Sequence, residues 1–238
     1  MCGKFTQMAT WRQVHDWSRI ARAEDLPKGN GEADEELVTP MRFAGVLHLD
    51  AMGRRVVTSM KWGWPRRGAG MNMHARAETI DEPTKPFLDS FVERRGLLIC
   101  QTFNEGQVVG SKTVQYTMWR KDGLPAAIAV VWKEIVHAET GEITPCFVMV
   151  SVPANAALLE IGEELVEQGM AEQIDRMPAV MPDNDWAGWL GETDAYLGQV
   201  KGLLRTHEFG EDWELIEQRP KSKAKPKPTE PPRQASLF

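Results

Sequence analysis

Between residues 43 and 152 the chain is built largely from short apolar segments rich in β-branched and aromatic residues, and this constrains its fold more than any other feature. FAGVLHLD (43–50), RVVTSMKWGW (55–64), GLLICQTF (96–103), TVQYTMWR (113–120), AAIAVVWK (126–133) and TPCFVMVSV (144–152) all have the length and composition of strands. Asp122-Gly123 in KDGLP predicts a hairpin turn between two of them. Helical spacing is confined to the margins. It predicts a helix capped by Thr10 with Trp11, Val14, Ile20 and Ala21, a short one around PFLDSFVERR, ANAALLEIGEELVEQ (154–168), and one started by Asp183 with Trp186, Trp189 and Leu190. Residues 24–36 read as a polar, acidic loop, and WELIEQ as a last strand. The fold class is therefore α+β, a predominantly β core with flanking helices.

Composition divides the chain in two. Residues 219–238 carry six basic side chains against Glu230 alone, so of the net charge of −6 the tail holds +5 and residues 1–218 hold −11. The tail, rich in Pro and Lys, has nothing to bury before Leu237 and Phe238 and is expected to be disordered. The acidic body, 1–218, is large enough for one domain and argues against non-specific duplex binding, leaving nucleic acid only a local basic groove. Three cysteines give neither a disulfide framework nor a metal spacing, and no leader or membrane span is legible, so the expectation is a cytoplasmic monomer with no cofactor and no metal.

The chain opens MCGKF. Removal of an initiator Met ahead of a small residue leaves Cys2 with a free α-amine beside its thiol. Such a 1,2-aminothiol condenses with an aldehyde to an imine, and the sulfur then closes a thiazolidine ring. The amine, with a reference pKa of about 7.7 to 8.0, is partly neutral at physiological pH, and a thiol near 8.5 ionises with modest help. On these residues alone Cys2 reads first as a small buried core residue, since buried inert cysteines outnumber reactive ones. Other candidates carry the same ambiguity. Trp62 and Trp64 in KWGW read as core or site. His74, Arg76 and Glu78 alternate on one face of a strand, which is solvent-facing by default. Glu105, directly after the apolar strand, reads as a strand terminus or as a general acid/base.

MCGKF, KWGW, MHARAET, ICQTFNEG and QIDRMP, in that order, resemble the SRAP family (SOS-response-associated peptidase, also called abasic-site processing proteins). Members begin MCGRF and carry WG, N-A-R-x-E-T, F-Y-E-W and H-x-R-M-P. The resemblance spans about residues 1–218 and implies a compact α+β fold around a twisted, partly barrel-like β core. It implies a DNA-damage role in which Cys2, freed of Met1, crosslinks abasic sites in single-stranded DNA, with peptidase (hydrolase) and lyase-like activities attached to the family. Residue by residue it makes Cys2 the nucleophile and Glu105 the acid/base. Arg76 becomes a bidentate phosphate contact, Lys4 a point-charge substitute for the family's Arg, and Trp62 a surface for an unpaired base.

Two departures bear on the chemistry: the family's Asn is His74, and the His before R-M-P is Ile174. His74 is expected to take over the lost histidine's proton transfer. F-Y-E-W is also reduced to F-N-E-G, which marks a divergent branch. Three readings follow: a covalent lesion trap, a non-covalent single-strand or clamp-associated binding module, and a thiol peptidase. The terminal QASLF adds a partner, since Gln234, Leu237 and Phe238 resemble the bacterial sliding-clamp-binding motif.

Overall fold

A computed structural model describes residues 2–7, 36–66, 68, 70–109, 112–167 and 174–218. The helix expected from Thr10, the loop 24–36 up to Asp34 and Glu35, and the tail lie outside the described residues. The first strands are β1 (Lys4–Gln7), β2 (Glu36–Val38), β3 (Phe43–Leu49) and β4 (Arg55–Trp62). Next come β5 (Trp64–Pro65), β6 (Met71–Asn72), β7 (His74–Arg76), β8 (Arg95–Cys100) and β9 (Thr102–Val109). The last are β10 (Lys112–Arg120), β11 (Ala126–Val136), β12 (Ile143–Pro153), β13 (Arg176–Pro178) and β14 (Trp213–Gln218). Helices Leu88–Glu93, Ala156–Glu167 and Trp186–Leu190 stand where the spacing predicts them, and a further helix, Leu197–Gly202, lies outside those expectations.

Five strands close on themselves in the order β11-β8-β3-β4-β12, with β12 pairing back to β11, and β7 and β13 attach to the far half of β12. A second, open sheet runs β14-β10-β9-β1-β2. This is the mixed, mostly β architecture that the strand pattern predicts, with the barrel-like core that the resemblance implies. Alternation explains its interior: Val46, Leu98, Ile128, Val130, Phe147, Met149, Met60 and Trp62 occupy matching register positions and are all fully buried. Each large side chain of this kind contributes about 1.5 to 3 kcal/mol on burial. The residues at the alternate positions, such as Leu47, Leu97 and Val131, are also buried, and helices Leu88–Glu93 and Trp186–Leu190 pack against β8. Trp189 Nε1 donates to the Gly96 carbonyl at 2.8 Å. A Cβ at Gly96 would lie 2.8 Å from Val46 Cγ1, so only glycine fits that crossing.

Two sequence expectations need correcting. The apolar run GLLICQTF is two strands, because at Gln101 the chain leaves the closed ring for the open sheet, where Gln101 N–H bonds to the Thr6 carbonyl at 2.8 Å. Residues 121–125 do turn, with Gly123 at φ 75°, yet they join β10 of the open sheet to β11 of the ring and form no hairpin. Asp-Gly fixes the local reversal, whereas strand partners are chosen by burial further away.

Candidate active site

Cys2 lies where the two sheets meet. Gln7 of β1 fixes the junction: its Nε2 donates to the carbonyls of Gly45 and Ile99, and its Oε1 accepts from Gly45 N–H, each at 3.1 Å. Phe5 then packs on Trp62 with ring centroids 5.4 Å apart. The pairing of Lys4 with Asn104 brings Cys2 and Gly3 alongside Glu105 and Gly106 of β9. Cys2 is 1% exposed in the chain that still carries Met1, and its Sγ donates to the Lys4 carbonyl at 3.3 Å.

Glu105 stands inside β9 opposite Tyr116, not after a strand end, and is fully buried. Burial pushes its carboxyl up to about 7, against the pull of the positive chain terminus and of the Cys2 backbone N–H, while Asp175 adds an upward push. A carboxyl poised there is about half ionised at neutral pH, the condition an acid/base needs. Burial also pushes the Cys2 thiol up to about 12, and the Glu105 charge adds to it. The thiol therefore keeps its proton until a base removes it.

His74 places Nε2 3.0 Å from the Cys2 carbonyl, so the ring donates that bond. Burial, helped by the positive chain terminus, holds its pKa down to about 4, so it is neutral at physiological pH. This is also the kind of bond an amide side chain makes, so His74 suits the position that the resemblance gives to Asn. His74 and Arg76 lie on β7, but Glu78 does not: the strand ends and Ala77–Thr79 form a 3-10 turn. Glu78 instead grips Arg176 in a bidentate pair, both contacts at 2.9 Å.

Trp62 is a correction. It is 0% exposed, its Nε1 donates to the Met73 carbonyl, and its ring lies between Phe5, His74 and Phe147, so no face is available to a base. Gly63 behind it has φ 95°, and a Cβ there would meet Met73 Sδ at 2.5 Å, which explains the glycine in KWGW. Arg76 is exposed and Lys4 half-buried. Ile174 is buried in the segment before β13, and the neighbouring Asp175 is exposed within electrostatic reach of Glu105. Asp175 is the residue that sequence reasoning missed; its signal was a carboxylate in the variable position of the R-M-P motif. Among the described residues no group of His, Cys, Asp and Glu is arranged to hold a metal, and no helix is long and apolar enough to cross a membrane.

No curated protein matches the sequence. Among solved structures, a protein from Bordetella bronchiseptica is similar with a TM-score of 0.66 at 15% identity, over 92% of this chain and 100% of that one. A protein from Bacteroides thetaiotaomicron is similar at 0.66 and 16%, over 92% of each chain. A phage-related protein from Bordetella bronchiseptica is similar at 0.65 and 16%, over 92% of this chain and 95% of that one. At such identities these likenesses establish the fold alone. The family described as SOS response associated peptidase (SRAP) matches residues 1–219. That match supports a DNA-damage-associated role at abasic sites, with DNA as partner. By this match over nearly the whole chain, the protein belongs to the SRAP family.

Proposed function

We propose that, once Met1 is removed, the protein traps abasic sites in single-stranded DNA as a thiazolidine on Cys2. The observation that carries this reading is the buried Glu105 carboxyl, near neutrality in pKa, facing the backbone nitrogen of Cys2. That nitrogen becomes the α-amine when Met1 leaves. The amine adds to the C1′ aldehyde of the ring-opened sugar, Glu105 protonates the departing hydroxyl, and water, a protonated imine and the Glu105 carboxylate result. The Cys2 thiol then gives its proton to that carboxylate and its sulfur adds to the imine carbon, the C=N electron pair returning to the nitrogen, which keeps the one hydrogen it carries. One amine, one thiol and one aldehyde give one thiazolidine and one water. His74 holds the Cys2 carbonyl still, and Arg76 and Lys4 hold flanking phosphates. DNA repair, regulation within the SOS response and association with the nucleoid in the cytoplasm all belong to the same reading.

Denaturing gel electrophoresis with abasic single-stranded DNA tests it. A heat-stable adduct is expected from the processed protein and none from Cys2→Ala or from a chain with an uncleaved N-terminal extension. Equal adduct from Cys2→Ala would overturn the proposal. The non-covalent binding module is the second reading, favoured by Ile174 in place of the family His. A thiol peptidase gains no support, since His74 addresses the Cys2 carbonyl and not Sγ.

The tail extends the proposal. Leu237 and Phe238, with Gln234 ahead of them, suit a preformed apolar pocket on a bacterial sliding clamp, and the linker would raise the domain's local concentration at a replication fork. Burial of two such side chains gives roughly 3 to 6 kcal/mol before ordering costs, which fits a weak contact. Calorimetry should show micromolar-range binding of PPRQASLF to a clamp, lost when Leu237 and Phe238 become Ala. Absence of heat and of competition with a known clamp peptide would remove the clamp alone.

A further inference from the structure

We propose, resting on the single-stranded DNA reading above, that the strand flanking the lesion leaves the Cys2 site over a rim formed by Met41, Arg42, Phe43 and Lys61. None of the family motifs quoted above includes the first three, and KWGW includes Lys61 only as its opening residue. The rim begins with a turn in which Arg42 N–H bonds to the Thr39 carbonyl at 3.1 Å. Pro40 takes the second position, and Met41 takes the third at φ 72°, a left-handed position that normally belongs to glycine or asparagine. Met41 is the only non-glycine residue with positive φ among the described residues. It is clamped there from Trp62, whose carbonyl accepts Met41 N–H at 3.0 Å and whose N–H donates to the Arg42 carbonyl at 2.8 Å. The core gains little from this strain, since Met41 stays 40% exposed. What the turn does is present an apolar side chain at the edge of the site.

Phe43 follows, 49% exposed, directly opposite Lys61 across the β3–β4 ladder. Arg42 is exposed and Lys61 half-buried. Among the described residues no acidic side chain pairs with either, whereas Arg54, Arg55, Arg120, Arg176, Lys201 and Arg205 all have one. In a body carrying −11, two cations without carboxylate partners beside exposed apolar side chains fit a polyanion with flat apolar bases. The row continues from Lys61 to Cys146 and Lys133, but Lys133 Nζ already sits 4.5 Å over the Trp64 ring, so the track ends at Lys61. It is continuous with the site, because Val38, just before the turn, pairs with Phe5, and Trp62 packs against both Phe5 and His74.

The test uses the processed full chain and a labelled 15-nucleotide strand whose central abasic site is a tetrahydrofuran analogue, which has no aldehyde. Anisotropy titrations at several salt concentrations give affinity and salt slope. Arg42→Ala with Lys61→Ala should lower the slope by about 1.4, at about 0.7 per phosphate contact on a single strand. Phe43→Ala should weaken binding by about 10-fold, and Phe43→Tyr should keep it. A strand cut to one nucleotide either side of the site should be insensitive to all three. Wild-type affinity and slope in both Ala variants would overturn the rim. Adduct yield on an aldehyde-bearing strand, measured in parallel, separates the two proposals. Adducts with an inert rim leave the crosslinking reading standing, and loss of affinity without any wild-type adduct does the reverse.

Discussion

Glu105 and Glu78 are the same residue type in two parts of the molecule, and their carboxyls move in opposite directions. Glu105 is enclosed beside Cys2, where burial raises it to about 7. Glu78 is half exposed and gripped by Arg176, whose hydrogen bonds hold it below the usual carboxylate range. Arg176 is itself buried and anchored by Ser151, through Oγ at 3.2 Å and the carbonyl at 2.6 Å. One carboxylate has a fixed cation to satisfy and serves structure. The other is left near neutrality, where gaining and losing a proton are about equally easy, and serves chemistry.

The sharpest break of this comparison is the crosslinking rate. Glu105→Gln keeps size and hydrogen bonding but removes proton exchange, so the rate should fall by about 10²- to 10⁴-fold. The wild-type rate should also show an inflection near pH 7, the value of the Glu105 carboxyl, that disappears in the variant. An unchanged profile would assign the titration to another group. Single-turnover adduct formation from pH 5 to 9 measures both.

Much of this site was legible in the residue string, and the failures share a cause. Cys2, Glu105 and His74, singled out by motif order, do come together in space. The strand segments were legible because alternation reports burial directly. Which sheet a strand joins was not, because apolar residues on both sides of Gln101 look alike whether the chain stays in the ring or crosses to the open sheet. The groove role of Trp62 comes from the resemblance alone, and a Trp between Lys61 and Gly63 has no local sign that Phe5 and Phe147 enclose it. Glu78 looked like the next residue of a strand because a 3-10 turn after three strand residues leaves the alternation intact. Partners distant in sequence decided each of these.

His74 sharpens the comparison from the neutral side. If its work is to hold the Cys2 carbonyl, His74→Ala should slow crosslinking by about 10-fold, the cost of one lost hydrogen bond. His74→Asn should then restore the rate to within about threefold. Proton transfer by His74 would instead give a loss of about 10²-fold or more that Asn fails to rescue. Ile174→His adds a group able to titrate and should accelerate adduct formation in either case. Rate constants for the four proteins at one pH decide between holding and shuttling.

The smallest effect on rate, and the clearest contrast in stability, belongs to the Glu78–Arg176 pair. Glu78→Gln should leave crosslinking within about twofold of wild type. A carboxyl held below its unfolded pKa contributes stability above that unfolded value and loses it as pH falls through the folded one, so the cost of Glu78→Gln should appear at neutral pH and fade in acid. Its side chain is 48% exposed, and solvent screening keeps that cost to about 1 kcal/mol or less. Glu105 has the opposite sign: raised from 4.5 to about 7, its contribution is present below 4.5 and lost as pH rises through 7. Glu105→Gln should therefore gain stability relative to wild type as pH climbs across that interval. Urea denaturation of both variants at pH 4.5, 6 and 8 should give difference curves of opposite slope. Parallel slopes would mean that the two carboxylates are not in the contrasting environments their partners imply.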